Sequence, residues 1–283
     1  MIPAAFDYEA PTTVDEALAA LAKGSNVKVL AGGQSLLPML RLRMASPSTL
    51  VDLNKVAGLR GVRDDGDAIV IGAMTTHDAV TREPLVLQHA LLLAKTTQTV
   101  ADPQVRHRGT LGGSVSHADP AQDTPAALLA LDASMVIAGP NGRRTVAAAA
   151  FFKDLFTTDI NEGELLVEVR VPKHTGWGAA YSNLTRTAQS WSIVGAAATV
   201  QVSGGTIAQV KVALTNMGLV PIRATAVEQA LTGRPATADA VKAAAAQAGV
   251  GTAPMADSNA DEAYRTHLAQ VLTARAVLAA AGA

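Results

Sequence analysis

Apolar positions along this chain switch repeatedly between helical spacing and short continuous runs, and the switches fall at glycines. Thr13-Val14-Asp15-Glu16 reads as a capping box, with Thr13 at the N-cap and Glu16 reaching back. Ala17, Leu18 and Leu21 follow at helical spacing, and Gly24 marks a stop. Val27-Lys28-Val29-Leu30 predicts a short strand, and the turn Ala31-Gly32-Gly33-Gln34-Ser35 follows at once. Ser35 is placed to cap a helix from Leu36 to about Met44, with Pro38 in its first turn. Leu50–Leu53 predicts the next strand.

A second unit opens near Gly58. Ala68–Ala73 is strand-like, Thr76 caps a helix starting at His77, and a further helix is predicted over Leu85–Thr97. Ala101–Asp123 shows no regular period and contains the turn Gly109-Thr110-Leu111-Gly112-Gly113-Ser114. Thr124 and Pro125 suit the N-cap and first position of a helix over Ala126–Leu131. Gly139-Pro140-Asn141-Gly142 joins two strands as a hairpin, and a strand from Leu165 stops at Pro172. Beyond Gly176 come two long strands about Ser203-Gly204-Gly205, then helices over Ala224–Leu231, Ala238–Ala248 and Asp261–Ala281. The expected organisation is α+β, with one domain over residues 1–175, divided at about 57/58, and another over 176–283.

Composition narrows the function classes. The 283 residues carry a formal net charge of −1 and 3% aromatics. Neither a basic footprint nor a stacking platform for nucleic acid is present. No cysteine occurs, which excludes disulfides and Cys-ligated metal or iron–sulfur centres on this chain. The start lacks a basic region followed by a long apolar run, and the apolar stretches are short. A cytoplasmic protein without an integral membrane segment is expected.

The two glycine turns carry the candidate chemistry. Glycine lets a backbone turn sharply and approach a ligand closely, and successive N–H groups at a helix start form an anion-binding concavity. Either turn alone is often only a tight connection. Neither has the G-x-G-x-x-G spacing of a dinucleotide fingerprint or the Gly-Lys-Ser/Thr of a Walker loop. Two such turns together fit a ligand with two linked phosphates. Asp119-Pro120 suggests an Asx turn, and Asp123 is the carboxylate placed to face a sugar. No histidine pair has metal-ligand spacing, so no metal site is expected.

Several segments in order resemble the FAD-binding medium subunit of molybdenum hydroxylases, the xanthine dehydrogenase and carbon monoxide dehydrogenase family. They are Phe6-Asp7-Tyr8, Leu30–Pro38, Ile71–His77, Val105–Ser114, Asp119-Pro120 with Asp123, and the strand from Glu164 to Pro172. The resemblance implies a PCMH-type FAD-binding domain of two α+β subdomains. A C-terminal domain with a three-stranded antiparallel sheet and helices would follow.

It also implies site residues. Ala31, Gly32, Gly33, Gln34 and Ser35, leading into Leu36, would bind the FAD diphosphate. Thr110, Leu111, Gly112, Gly113 and Ser114 would form a second clamp. His117 and Asp123 would contact ribityl or ribose groups. Lys28, Val29 and Leu30 would run beside the cofactor, and Val100, Ala101 and Leu166 would line its rings. Asn183 stands where relatives usually have Lys, Trp191 where they often have Tyr, and Gln34 where they often have His. Charge near a flavin ring tunes its electronics, so Asn183 and Trp191 join the expected site.

In such a family, electrons pass from two iron–sulfur (2Fe-2S) clusters on a small subunit, fed by a molybdenum cofactor on a large subunit, to FAD on this chain. From there they go to an external acceptor. The expected assembly is a dimer of heterotrimers, and no catalytic residue for substrate hydroxylation is expected here. Two other readings stay open from sequence: a free-standing FAD oxidase of the vanillyl-alcohol oxidase type, and a scaffold subunit without flavin.

Overall fold

The computed structural model describes residues 2–282. Three larger sheets follow one another along the chain, and a two-stranded hairpin, Phe152–Asp154 with Thr157–Thr158, falls within the stretch of the second. The first is parallel, with Thr49–Asp52 between Asp7–Glu9 and Val27–Leu30. The helix Val14–Leu21 packs on it behind the expected capping box, in which Glu16 N–H donates to Thr13 Oγ1 at 3.1 Å. The strand Val27–Leu30 feeds the first glycine turn, and Leu36–Arg41 is the helix that follows. That helix is shorter than expected. Arg43 adopts a left-handed φ of 58°, which breaks the repeat, and Ser35 makes no side-chain cap.

The second sheet is antiparallel. Its strand order is Val62–Asp65, Ala68–Gly72, Leu165–Pro172, Ser134–Gly139 and Gly142–Ala147. Helices cover it, and between Pro84 and Ala130 they depart from expectation in three ways. The helix expected over Leu85–Thr97 divides at Ala90, whose φ of −139° and ψ of 45° separate Pro84–His89 from Leu91–Gln98. The stretch expected to be irregular contains two helices, Pro103–Arg108 and Leu111–His117. Both are too short to show periodicity, and caps define them. Asp102 accepts from Val105 N–H at 2.8 Å ahead of Pro103, and Thr110 Oγ1 accepts from Gly113 N–H at 3.1 Å. The next helix begins at Asp123, with Gln122 at its N-cap instead of Thr124.

The third sheet has three long antiparallel strands, Gly178–Thr185, Ser192–Ser203 and Thr206–Thr215, with the two-residue Ile222–Arg223 on its edge. Its small residues serve both faces. Ala179, Ala197 and Ala213 join the core of the middle sheet and its helices. Ala180, Ala196 and Ala198 face the core built with the long helix Glu262–Ala281. Strand side chains alternate between faces, so a sheet covered on both sides becomes a continuous apolar run. Alanine lets both layers come close.

Polar groups tie this sheet to the N-terminal part. Asp132 pairs with Lys211 and, at 2.7 Å, with Arg223. Lys95 Nζ donates to Ala179 O at 2.8 Å, and Asn216 N–H donates to Pro120 O at 2.9 Å. No helix among the described residues is long and apolar enough to cross a membrane, and these residues hold no group of three candidate metal ligands.

Candidate cofactor site

The first turn leaves the strand Val27–Leu30 beside the carboxyl end of Thr49–Asp52. Gly33 takes a left-handed φ of 74°, which a side chain resists. Leu37 N–H donates to Gly33 O, and Gln34 Nε2 donates to Gly32 O at 3.2 Å. Among the described residues, the amides of Gly32, Gly33, Gln34 and Ser35 donate to no acceptor in the protein. A row of free N–H groups between a strand end and a helix start is a cradle for an anion.

The second turn lies directly against the first. A Cβ on Gly32 would fall on the Arg108 carbonyl and 2.7 Å from Gly109 Cα. A Cβ on Gly113 would lie 3.5 Å from Ala31 Cβ. Gly32 therefore permits close approach of two backbones, while at Gly113 the neighbours are side chains. The second turn does not bare its amides as the first does. Leu111 N–H is held by Thr75 O at 3.0 Å, Gly112 N–H by Ala73 O at 2.8 Å, and Gly113 and Ser114 N–H by Thr110. Ser114 Oγ is engaged at 2.8 Å by both Gln122 and Thr124. The expectation that both turns bare backbone N–H groups is corrected in this respect: the second forms a wall for the first. A glycine-rich spelling cannot distinguish the two, because the acceptors for the amides of Leu111 and Gly112 come from residues 73–75.

His77 lies behind this contact. Its backbone N–H donates to Gly109 O at 2.9 Å, and its Cδ2 lies 2.9 Å from where a Gly109 Cβ would stand. The ring is 4% exposed and its Nδ1 has no hydrogen-bond partner. Burial, with the charge of Arg106 adding to it, holds the imidazole down at about 4. It is neutral at physiological pH. Sequence reading left His77 as one of several scattered histidines.

A second cluster forms where the third sheet meets the N-terminal part. Asp123 accepts hydrogen bonds from the Tyr181 hydroxyl, from Ser192 Oγ at 2.6 Å and from Thr99 Oγ1 at 3.4 Å. Burial raises its carboxyl above the ordinary range, although these bonds oppose the shift. Asn183 Nδ2 donates to Ser192 Oγ at 2.9 Å. Trp191, 56% exposed, precedes Ser192 directly. Asp123, Asn183 and Trp191 are thus brought together through Ser192. Val100 and Ala101 adjoin Thr99, and Gln189 Nε2 donates to Asp102 at 2.9 Å, joining the segment before Trp191 to the same region.

The remaining expected residues lie apart in character. Lys28 is exposed, while Val29 and Leu30 are partly buried on the strand. Leu166 is buried in the middle core. His117 ends its helix with its ring 5.1 Å from that of Phe156, on a hairpin that carried no signal in the sequence. Tyr181, Ser192 and His77 also escaped sequence reading, since a buried hydroxyl or imidazole leaves no periodic mark.

Comparison with known proteins decides the family. The family described as FAD binding domain in molybdopterin dehydrogenase matches residues 4–174, and that described as CO dehydrogenase flavoprotein C-terminal domain matches 179–280. The chain belongs to the FAD-binding medium subunits of molybdenum hydroxylases. Within this family, the carbon monoxide dehydrogenase medium chain of Hydrogenophaga pseudoflava is 43% identical over 284 residues, covering 99% of this chain and 98% of its own. The glyceraldehyde dehydrogenase medium chain of Sulfolobus acidocaldarius is 36% identical over 98% of each chain. A solved structure of the Hydrogenophaga carbon monoxide dehydrogenase, lacking the Mo-pyranopterin moiety, superimposes with a TM-score of 0.96 at 45% identity over 99% of this chain and 98% of its own. The quinoline 2-oxidoreductase of Pseudomonas putida 86 does so with a TM-score of 0.95 at 34% identity, covering 100% of this chain and 99% of its own. The observed α+β fold is that of the family.

Two consequences are measurable. Gly32→Ala forces the two turns apart, because the new Cβ meets backbone and not a flexible side chain. It is expected to cost about 1–3 kcal/mol and to lower flavin occupancy. Unchanged denaturation and flavin content would contradict the contact. Because His77 is depressed to about 4, the unfolded chain binds its proton first as pH falls from 6.5. Stability therefore rises with pH across that window, by up to ~3 kcal/mol from this group. His77→Leu should flatten the difference between denaturation at about pH 7 and about pH 4.5, and an identical pH slope in the variant would refute the assignment.

Proposed function

We propose that this chain is the FAD-carrying electron-transfer subunit of a heteromeric molybdenum hydroxylase. The observation that carries the reading is the free-amide turn at residues 31–35, pressed on Gly109 and standing before a helix. Four successive N–H groups without protein acceptors suit a pyrophosphate, and the close approach that only glycine permits leaves backbone, not side chain, facing it. The residues fit the group. The division into domains over residues 1–175 and 176–283, and a cytoplasmic location, are part of the same proposal.

FAD, when bound, supplies reversible electron storage between a donor and an acceptor. The chain's own residues bind, orient and shield. Gly32–Ser35, with Ala31 and Leu36 beside them, hold the pyrophosphate through main-chain N–H groups. Thr110–Ser114 wall that cradle from the opposite side. Val100 and Ala101 offer apolar surface to the rings, and Lys28–Leu30 run beside them; Leu166, buried in the middle core, takes no part in this assignment. His117 is assigned to the ribityl or ribose hydroxyls. Asp123 shares that assignment through its less engaged oxygen. Asn183, a neutral amide, and Trp191, an exposed indole, are assigned to the flavin end. No residue here is assigned to substrate hydroxylation.

The molybdenum cofactor and the 2Fe-2S clusters belong to large and small partner subunits, since this chain has no cysteine to ligate a cluster. Relatives named as medium chains and medium subunits point to such partners, and a dimer of heterotrimers is the proposed assembly. Purification of the chain with its partners tests the reading. The expected result is FAD released in near-equal amount to the chain, with iron and molybdenum on the co-purifying subunits. Oxidation of an organic substrate by the isolated chain with oxygen would favour a free-standing oxidase, and a folded complex free of flavin would favour a scaffold. Either result overturns the proposal.

A further inference from the structure

A chain of hydrogen bonds joins the backs of the two turns, and the side chains that make it, those of Asn54, Asp52 and Arg60, lie outside the site described above. Asn54 stands just beyond the strand that flanks the first turn. Its Nδ2 donates to the Ala31 carbonyl at 3.2 Å and to Asp52 Oδ1 at 2.6 Å. Its Oδ1 accepts from Arg60 Nη2 at 3.0 Å. The orientation of this amide follows from its partners, because only the NH2 group can serve a carbonyl and a carboxylate while the oxygen faces a guanidinium.

Asp52 is itself fixed. It accepts from Asn54 N–H at 2.9 Å and from the Tyr8 hydroxyl at 2.5 Å. Burial would raise its carboxyl, but these bonds and the charge of Arg108 hold it below its ordinary value, so it stays an acceptor.

Arg60 carries the connection into the second unit. Its Nη1 donates to the Met74 carbonyl at 2.9 Å. The two neighbouring carbonyls, Ala73 O and Thr75 O, take the amides of Gly112 and Leu111. Residues 73–75 thus form a ledge with one carbonyl held by Arg60 and two holding the second turn. Gly72 makes room for this arrangement, since a Cβ there would collide with the Leu59 carbonyl. The whole path runs Ala31–Asn54–Arg60–Met74, then to Leu111 and Gly112. Helix and strand ladders do not make these connections.

We propose that Asn54 and Arg60 are positioning residues that set the spacing of the two glycine turns, and thereby the geometry of the pyrophosphate cradle. They touch no cofactor; they hold the backbone that does. The assignment rests on the FAD reading of the cradle.

The test uses the purified complex with Asn54→Ser, Arg60→Met and the double substitution. FAD dissociation constants and the 31P spectrum of the bound pyrophosphate are measured beside thermal unfolding. Loss of a hydrogen bond from a charged partner predicts about tenfold weaker FAD binding for each single variant. The double variant should lose little more than the worse single one, because both act through one path. The 31P resonances should shift in each. Wild-type affinity and resonances in Arg60→Met, whose side chain is exposed and whose loss leaves the core intact, would overturn the proposal. So would losses that simply add. Should Asn54→Ser fail to fold, Arg60→Met alone still decides through its 31P spectrum. Wild-type complex without any FAD would instead refute the cofactor reading, so the two failures are distinguishable.

Discussion

The fold depends on one contact: the backbone of Gly32 against the backbone of Arg108 and Gly109. It joins residues 76 and 77 positions apart in sequence numbering, from the two halves of the N-terminal part. No side chain fits between them, so the distance is set by peptide groups alone. A surface made of peptide groups presents N–H donors at fixed positions and changes little with side-chain motion. This is the property an anion cradle needs, because preordered donors avoid the cost of organising after the ligand arrives.

The two turns divide the work. The first keeps its amides free. The second commits its amides to residues 73–75 and to its own cap, and so becomes rigid. Behind it, neutral His77 occupies the space that Gly109 leaves. A charged imidazole here would add a second cation beside Arg106 in a buried place, and the protein avoids that by holding the ring unprotonated. The third sheet meets the N-terminal part through Asp123, Ser192 and Tyr181, so the C-terminal part is bound to it by buried polar contacts and not merely appended.

Much of this was legible in the sequence. The capping box at Thr13, the strand and turn at 27–35, the hairpin at 139–142 and the strand ending at Pro172 are written in local chemistry. The family was legible as well, since several motifs occur in order. The helices Pro103–Arg108 and Leu111–His117 were not, because each is under two turns and owes its existence to a cap and to tertiary acceptors. The alanine-rich strands looked uninformative, yet their small side chains let one sheet be covered on both faces. Tyr181 and Ser192 were missed because their hydroxyls meet Asp123 only after the two parts pack. Local chemistry reveals turns and caps; convergence of distant polar groups belongs to the fold.

The central claim is that the first turn, and not another surface, receives the pyrophosphate. A crystal structure of the FAD-loaded complex tests it most directly. The account predicts phosphate oxygens within hydrogen-bond distance of the amides of Gly32 to Ser35, with Gly109 and Gly113 walling the opposite side. A pyrophosphate bound elsewhere, with those amides facing solvent, would contradict it.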